Sequence, residues 1–271
     1  MSMRRLAWLA AALALALPLP LAMAGCTAEA PEQALPLADP AAEAVDYAAI
    51  VAGPGRTAAD LAADPLRKPV DMLQFAGVRP GMAVFEVLPG GGYFTRLFSA
   101  AVGSSGQLTL YVPEEMVAKK WAPLESAKTL QGTLAGQPVS VASYPLAGPV
   151  PGSLAERFDV VWTSRNYHDF HNVPGFDARA ANAMVMDLLK PGGVYVVLDH
   201  SAPDGSGATA TNTTHRIDAD LVRREVESAG FLYDGASAVL KNPADDRTSG
   251  VYDGPLKGRT DQFVMRFRKP G

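Results

Sequence analysis

Residues 82–95 read Met82-Ala83-Val84-Phe85-Glu86-Val87-Leu88-Pro89-Gly90-Gly91-Gly92-Tyr93-Phe94-Thr95. The first seven form an apolar run rich in branched residues, the pattern of a strand buried on both faces. Pro89 ends it. The three glycines remove side chains, so a ligand can approach the backbone closely. A helix from Tyr93 to Val102 then presents its N-terminal N–H groups to the same place. Glu86 is the one acid inside the run. A glycine turn by itself also serves plain steric needs between a strand and a helix, so its meaning depends on the rest of the chain.

Downstream of the turn, strands and helices alternate. Further strands are expected at Gln107–Val112, Val139–Tyr144, Phe158–Thr163 and Val194–Leu198, with helices over Pro113–Leu130 and Phe176–Leu189 between them. Lys190-Pro191-Gly192-Gly193 stops the latter helix. A helix over Ile217–Ala229 closes at Gly230. Phe231–Leu240 and Asp261–Arg268 form a closing strand pair around the polar loop Lys241–Arg259. No crossover helix joins that pair, so its strands are expected to be antiparallel. Upstream, Asp60–Ala76 shows a loose helical pattern interrupted by Pro65 and Pro69. The fold class is therefore α/β: a doubly wound, mostly parallel seven-stranded sheet with an antiparallel closing strand. Trp121 and Trp162 are expected in its core.

The N-terminus has its own character. Arg4-Arg5 precede an apolar run, Leu6–Leu17, and Ala22-Met23-Ala24 is a small-x-small cleavage pattern. Residues 1–25 read as a signal peptide, and Pro18 and Pro20 argue against a permanent membrane helix. Met23-Ala24-Gly25-Cys26 resembles a bacterial lipobox, and Cys26 is the only cysteine. This makes lipidated Cys26 a candidate membrane attachment and predicts a periplasmic or outer-membrane-anchored bacterial protein. Simple cleavage after Ala24 is the plainer alternative. Residues 26–45, rich in Ala, Pro and acids, read as a flexible tether, and residues 46–271 as one domain.

Composition excludes other classes. The chain has 271 residues, 48% hydrophobic and 19% charged, a globular balance. Its net charge is −4. Removal of residues 1–25 takes away two arginines and no acids, leaving 22 basic against 28 acidic residues and a net −6. With no basic run, no nucleic-acid partner is expected. A lone cysteine excludes a disulfide framework and cysteine-rich metal centres.

In a doubly wound sheet, ligands bind beyond the carboxyl ends of the strands. Val84–Thr95, VFEVLPGGGYFT, resembles motif I of the class I S-adenosylmethionine-dependent methyltransferases. Leu188–Gly193 resembles that family's lead into strand five. Arg216-Ile217-Asp218, Val226–Phe231 and Thr260-Asp261-Gln262-Phe263 resemble its last helix and closing strands. Arg67-Lys68-Pro69 and Arg165–Asp169 are similar to an exported subgroup of predicted methyltransferases. The likeness covers about Asp60 to Lys269. It implies a Rossmann-like methyltransferase fold and S-adenosyl-L-methionine as cofactor, contacted by Glu86, Pro89, Gly90, Gly91, Gly92 and Tyr93. Family members usually carry an acid at the end of strand two. Here Val112 stands there, and Glu114 or Glu115 is the nearest substitute, with Glu114 taken as the candidate.

After the fourth strand come Asn166, Tyr167, His168, Asp169 and His171, the place from which this family's substrates are approached. Asn166, Tyr167, His168 and His171 are the candidate catalytic residues. An imidazole there can act as general base, oriented by Asp169. Polar loop residues satisfying backbone groups are the plainer reading. His168, His171, Asp199 and His200 are also metal-ligand types, but their spacing matches no recognised zinc pattern, and no metal is expected. The functional expectation is an exported methyltransferase acting on a small-molecule or envelope acceptor. The alternative is a non-catalytic small-molecule-binding envelope lipoprotein on the same fold, motivated by Val112 and by the cytoplasmic origin of the cofactor.

Overall fold

The computed structural model describes residues 45–120 and 123–271. The signal peptide, Cys26, the tether up to Ala44, and Trp121 lie outside the described residues. Among the described residues the seven strands are β1 (Ala83–Val87), β2 (Gln107–Tyr111), β3 (Val139–Ala142), β4 (Phe158–Ser164), β5 (Leu189–His200), β6 (Leu232–Ser237) and β7 (Gln262–Arg268). They form one sheet in the order β3-β2-β1-β4-β5-β7-β6. β1 to β5 pair in parallel, and β7 inserts antiparallel between β5 and β6. The expected α/β class and the antiparallel strand are both present.

The helices, in chain order, are α1 (Tyr47–Ala52), α2 (Ala58–Arg67), α3 (Pro69–Ala76), α4 (Tyr93–Val102), α5 (Glu114–Val117), α6 (Pro123–Thr133), α7 (Tyr167–Phe170), α8 (Ala178–Leu188) and α9 (Ala219–Ser228). Among the described residues no helix is long and apolar enough to cross a membrane. All five β1 residues are buried, Glu86 included. Phe85 packs between Tyr111 and Phe158 at ring separations of 5.1 and 4.9 Å. Trp162 takes its expected core place, 4.7 Å from Phe94 and 5.4 Å from Phe98.

The structure departs most from the sequence reading at three boundaries, and several other element ends move by one to three residues. Asp60–Ala76 is two helices, because Lys68 turns left-handed at φ 48° and Pro69 begins α3. A proline at a first helical position needs no N–H partner, so the chain restarts there at little cost. Pro113 caps α5 instead of entering its first turn, and α5 and α6 are separate elements. Lys190–Gly193 do stop α8, but they belong to a longer β5. Register shifts between Phe158 and Val160, where the segment bulges, with Gly192 at φ 75°.

Candidate functional site

The parallel strands end on one edge, and the turn after β1 is its centre. Leu88 is left-handed at φ 49°. Gly92 N–H donates to the Pro89 carbonyl at 3.0 Å, closing the turn. The three glycines have different reasons. Gly92 (φ 80°) is steric: a Cβ there would stand 2.5 Å from Leu130 Cδ1 and 2.8 Å from Arg96 Nη1. Gly90 (φ 56°) is conformational, with open space around it. Gly91 needs neither left-handed backbone nor room within the fold, because a Cβ there meets nothing within 4 Å. Its missing side chain leaves open volume over the turn, which is what a bound cofactor requires.

Side chains from the flanking elements fix this turn. The Asn166 amide donates to the carbonyls of Val87 (2.9 Å) and Leu88 (3.4 Å). Thr163 donates to the Asn166 amide oxygen. Arg96 forms a two-point ion pair with Asp60 at 2.6 and 2.7 Å and donates to the Gly91 carbonyl at 2.9 Å. Tyr93 donates to Asp64 at 2.6 Å, and Asp64 pairs with Arg56. Asp60 and Asp64 lie one turn apart on α2, so a single helix face clamps the start of α4.

Glu86 accepts from Thr95 at 2.6 Å. Burial pushes its carboxyl up to about 8, and the Thr95 bond only partly opposes this. Arg67 stands over the Tyr93 ring at 4.6 Å, and burial lowers its pKa. Arg165 is left-handed at φ 60° and donates to Gln262 at 2.9 Å. Burial and the charge of Arg67 hold its pKa below the usual range. Arg67 and Arg96 thus bear electrostatically on Glu86, and Arg165 bears on Arg67.

At the end of β2, Val112 is buried. Its N–H is spent on the Ala142 carbonyl at 3.0 Å. Glu114 and Glu115 are both exposed at the start of α5. The Glu115 carboxylate accepts the Leu146 N–H at 3.1 Å, which leaves Glu114 as the candidate acceptor for a ligand.

The Asn166–His171 segment does not act as one cluster. Asn166 is buried and serves the β1 turn. Tyr167 is 1% exposed, accepts from Asn182 at 2.9 Å and donates to Glu225 at 2.9 Å. Its hydroxyl is consumed between α8 and α9, which corrects its placement as a substrate-facing residue. His171 also bonds Glu225, at 3.1 Å. His168 differs from both. Its Nδ1 lies 2.9 Å from Asp199 Oδ1, and its Nε2 lies 3.3 Å from His215 Nδ1. The orienting acid is therefore Asp199 from β5, not Asp169. Burial opposes charging of His168, but Asp199 outweighs it, and the net shift is upward. His200 bonds Thr260 at 2.7 Å, and burial holds it down at about 3, neutral at physiological pH.

The set His168, His171, Asp199 and His200 is not assembled around one point. The structure instead brings together His168, Asp169 and His215. His215 lies in the loop before α9, and the sequence gives no spacing that would pair it with His168. Arg67 and Arg165 entered the sequence reading only as part of the family resemblance, with no site role, and the Asp60–Arg96 pair was outside it; the i,i+4 acids of α2 were the available signal.

No protein-family model matches the chain. A ubiquinone/menaquinone biosynthesis C-methyltransferase UbiE of Shewanella pealeana is 32% identical over 131 residues, 48% of this chain and 47% of that protein. The corresponding protein of Shewanella sediminis is 28% identical over 184 residues, 66% of this chain and 67% of that protein. The chain spans about half the length of most of the curated relatives it matches. Among solved structures, a SAM-dependent methyltransferase from Aquifex aeolicus aligns with TM-score 0.54 at 14% identity, covering 76% of this chain and 98% of that one. The [4+2]-cyclase SpnF aligns with TM-score 0.53 at 17% identity, covering 80% and 84%. At such identities these likenesses speak to the fold, and they show that it carries more than one chemistry. In strand order and in sequence the chain is similar to class I S-adenosylmethionine-dependent methyltransferases, and that likeness implies S-adenosyl-L-methionine as cofactor.

Proposed function

We propose that this protein is an exported S-adenosylmethionine-dependent methyltransferase acting on a small-molecule or envelope acceptor. The observation that carries the reading is the open cradle over Gly91, framed by buried Glu86 and the N-terminus of α4. When bound, the cofactor supplies an electrophilic methyl group; the chain's residues bind and orient. Gly90 and Gly91 let the ligand lie against backbone. Glu86, Pro89 and Tyr93 line the turn, and exposed Glu114 at the start of α5 would accept from a ribose hydroxyl. Arg67 and Arg165 offer positive charge for a carboxylate.

Acceptor chemistry falls to the β4 and β5 ends. His168, with Nδ1 turned to Asp199 and Nε2 3.3 Å from His215 Nδ1, is the residue here that would take a proton from a hydroxyl or amine acceptor. His171 is paired with Glu225 and supports this segment from the α9 side. The export part rests on residues 1–26: signal peptide, then Cys26 as lipid-bearing residue, with residues 26–45 as tether.

The test is protein-dependent transfer of labelled methyl from S-adenosylmethionine into small-molecule and envelope fractions, with Gly91→Arg as control. Label transferred by the wild type alone supports the reading. Cofactor binding with no transfer into any fraction favours the non-catalytic binding lipoprotein, the reading to which Val112 also points.

A further inference from the structure

We propose that His168, Asp169 and His215 form a binding site for a divalent transition-metal ion, with Asp199 orienting His168. The site shares His168 Nε2 with the base role proposed above, so a bound ion replaces that role, and ion binding is read without S-adenosylmethionine.

His168 Nε2 and His215 Nδ1 stand 3.3 Å apart. An Asp169 carboxylate oxygen lies 3.6 Å from His168 Nε2. One ligand atom from each of the three residues falls within 4.8 Å of the others. Two nitrogens each ~2.1 Å from a tetrahedral zinc ion stand ~3.4 Å apart. The separations are those of donors converging on one ion.

The tautomer is set as well. Asp199 is fully buried and accepts three N–H groups: His168 Nδ1 at 2.9 Å, the His168 backbone at 2.9 Å and the His200 backbone at 2.7 Å. With the proton on Nδ1, His168 Nε2 presents a lone pair to the cluster. Carboxylate behind imidazole behind metal is the usual outer arrangement of histidine metal sites.

The third residue is held in place by its neighbours. His215 sits in the left-handed region at φ 56°, a strained conformation for a residue with a Cβ. Arg216 next to it is fully buried, pairs with Asp245 at 3.0 Å and donates to the Ser201 and Ser249 carbonyls. Thr214 on the other side accepts the Val251 N–H at 3.2 Å. The Tyr252 ring packs against the imidazole at 5.1 Å. The fold thus over-determines a strained residue whose ring nitrogen points at a second imidazole.

Two imidazoles and one carboxylate suit zinc or iron(II), leaving coordination positions for water or an oxygen ligand. His215 and Asp169 are each half-exposed, so an ion has access from solvent.

The probe is Co²⁺, added to metal-stripped full-length protein and followed by visible absorption, equilibrium dialysis and thermal unfolding. One ion per chain is expected, with an intense low-coordinate visible band and a raised Tm. His215→Ala and Asp169→Ala, both at half-exposed positions, should each lose at least tenfold in affinity while keeping the wild-type circular dichroism. Asp199→Asn should lose 10- to 100-fold. No band and no Tm shift at millimolar Co²⁺ in folded wild type overturns the site. So does binding that survives unchanged in His215→Ala and Asp169→Ala.

Discussion

His168 Nδ1 lies 2.9 Å from Asp199 Oδ1, and the other oxygen of that carboxylate accepts the His168 backbone N–H, also at 2.9 Å. One side chain from the end of β5 therefore fixes both the backbone and the ring of a residue that follows β4. Removing it leaves buried N–H groups without an acceptor. Asp199→Ala should destabilise the fold by ~3–5 kcal/mol in urea unfolding. Asp169→Ala, at a partly exposed carboxylate, should cost under ~1 kcal/mol. Equal losses in the two variants would contradict the role assigned to Asp199.

Glu86 makes stability depend on pH. Its folded pKa is raised by burial from 4.5 to about 8. Between those values the folded state holds a proton that the unfolded state has released. Stability therefore falls as pH rises, by ~1.4 kcal/mol per unit at full effect. Glu86→Gln should remove this slope and be more stable than wild type at pH 8 in the absence of cofactor. Urea midpoints at several pH values between 5 and 8 measure it; parallel slopes for the two proteins would refute it.

His200 acts at the acid end. Burial lowers its folded pKa from 6.5 to about 3. Below 6.5 the unfolded chain binds a proton that the folded chain refuses, so stability is lost on acidification through that window. His200→Gln should flatten the fall in Tm between pH 6.5 and 4. In the wild type, the His200 ring carbon proton should show no titration by NMR above pH 4.5.

The glycines of the β1 turn separate steric from ligand roles. Gly92→Ala forces a Cβ to 2.5 Å from Leu130 at φ 80° and should cost ~2–4 kcal/mol. Gly91→Leu should leave Tm within about 2 °C of wild type, because its side chain enters open space. Thermal unfolding of the two variants checks the contrast.

The sheet was legible because β1 and β4 are near-continuous apolar runs with no polar face to confuse the period. Lys68 and the β5 bulge were not, since a left-handed residue and a register shift leave little trace in hydrophobic pattern. The glycine cradle was legible as a local motif. The division of labour beyond β4 was not. Adjacent residues on a one-turn helix point in different directions, so Tyr167 turns inward to Glu225 while His168 meets Asp199 and His215 from other segments. Those partners lie 31 and 47 residues away, and sequence spacing carries no information on such contacts.

The central claim is that the Gly90–Gly92 turn is a working cofactor site. Calorimetric titration of the purified protein with S-adenosylmethionine and S-adenosylhomocysteine tests it most directly, with Gly91→Leu as the paired variant. The account predicts one site of micromolar affinity in the wild type and loss of binding in a variant that remains folded. Absence of binding by folded wild-type protein, or undiminished binding by Gly91→Leu, would contradict it.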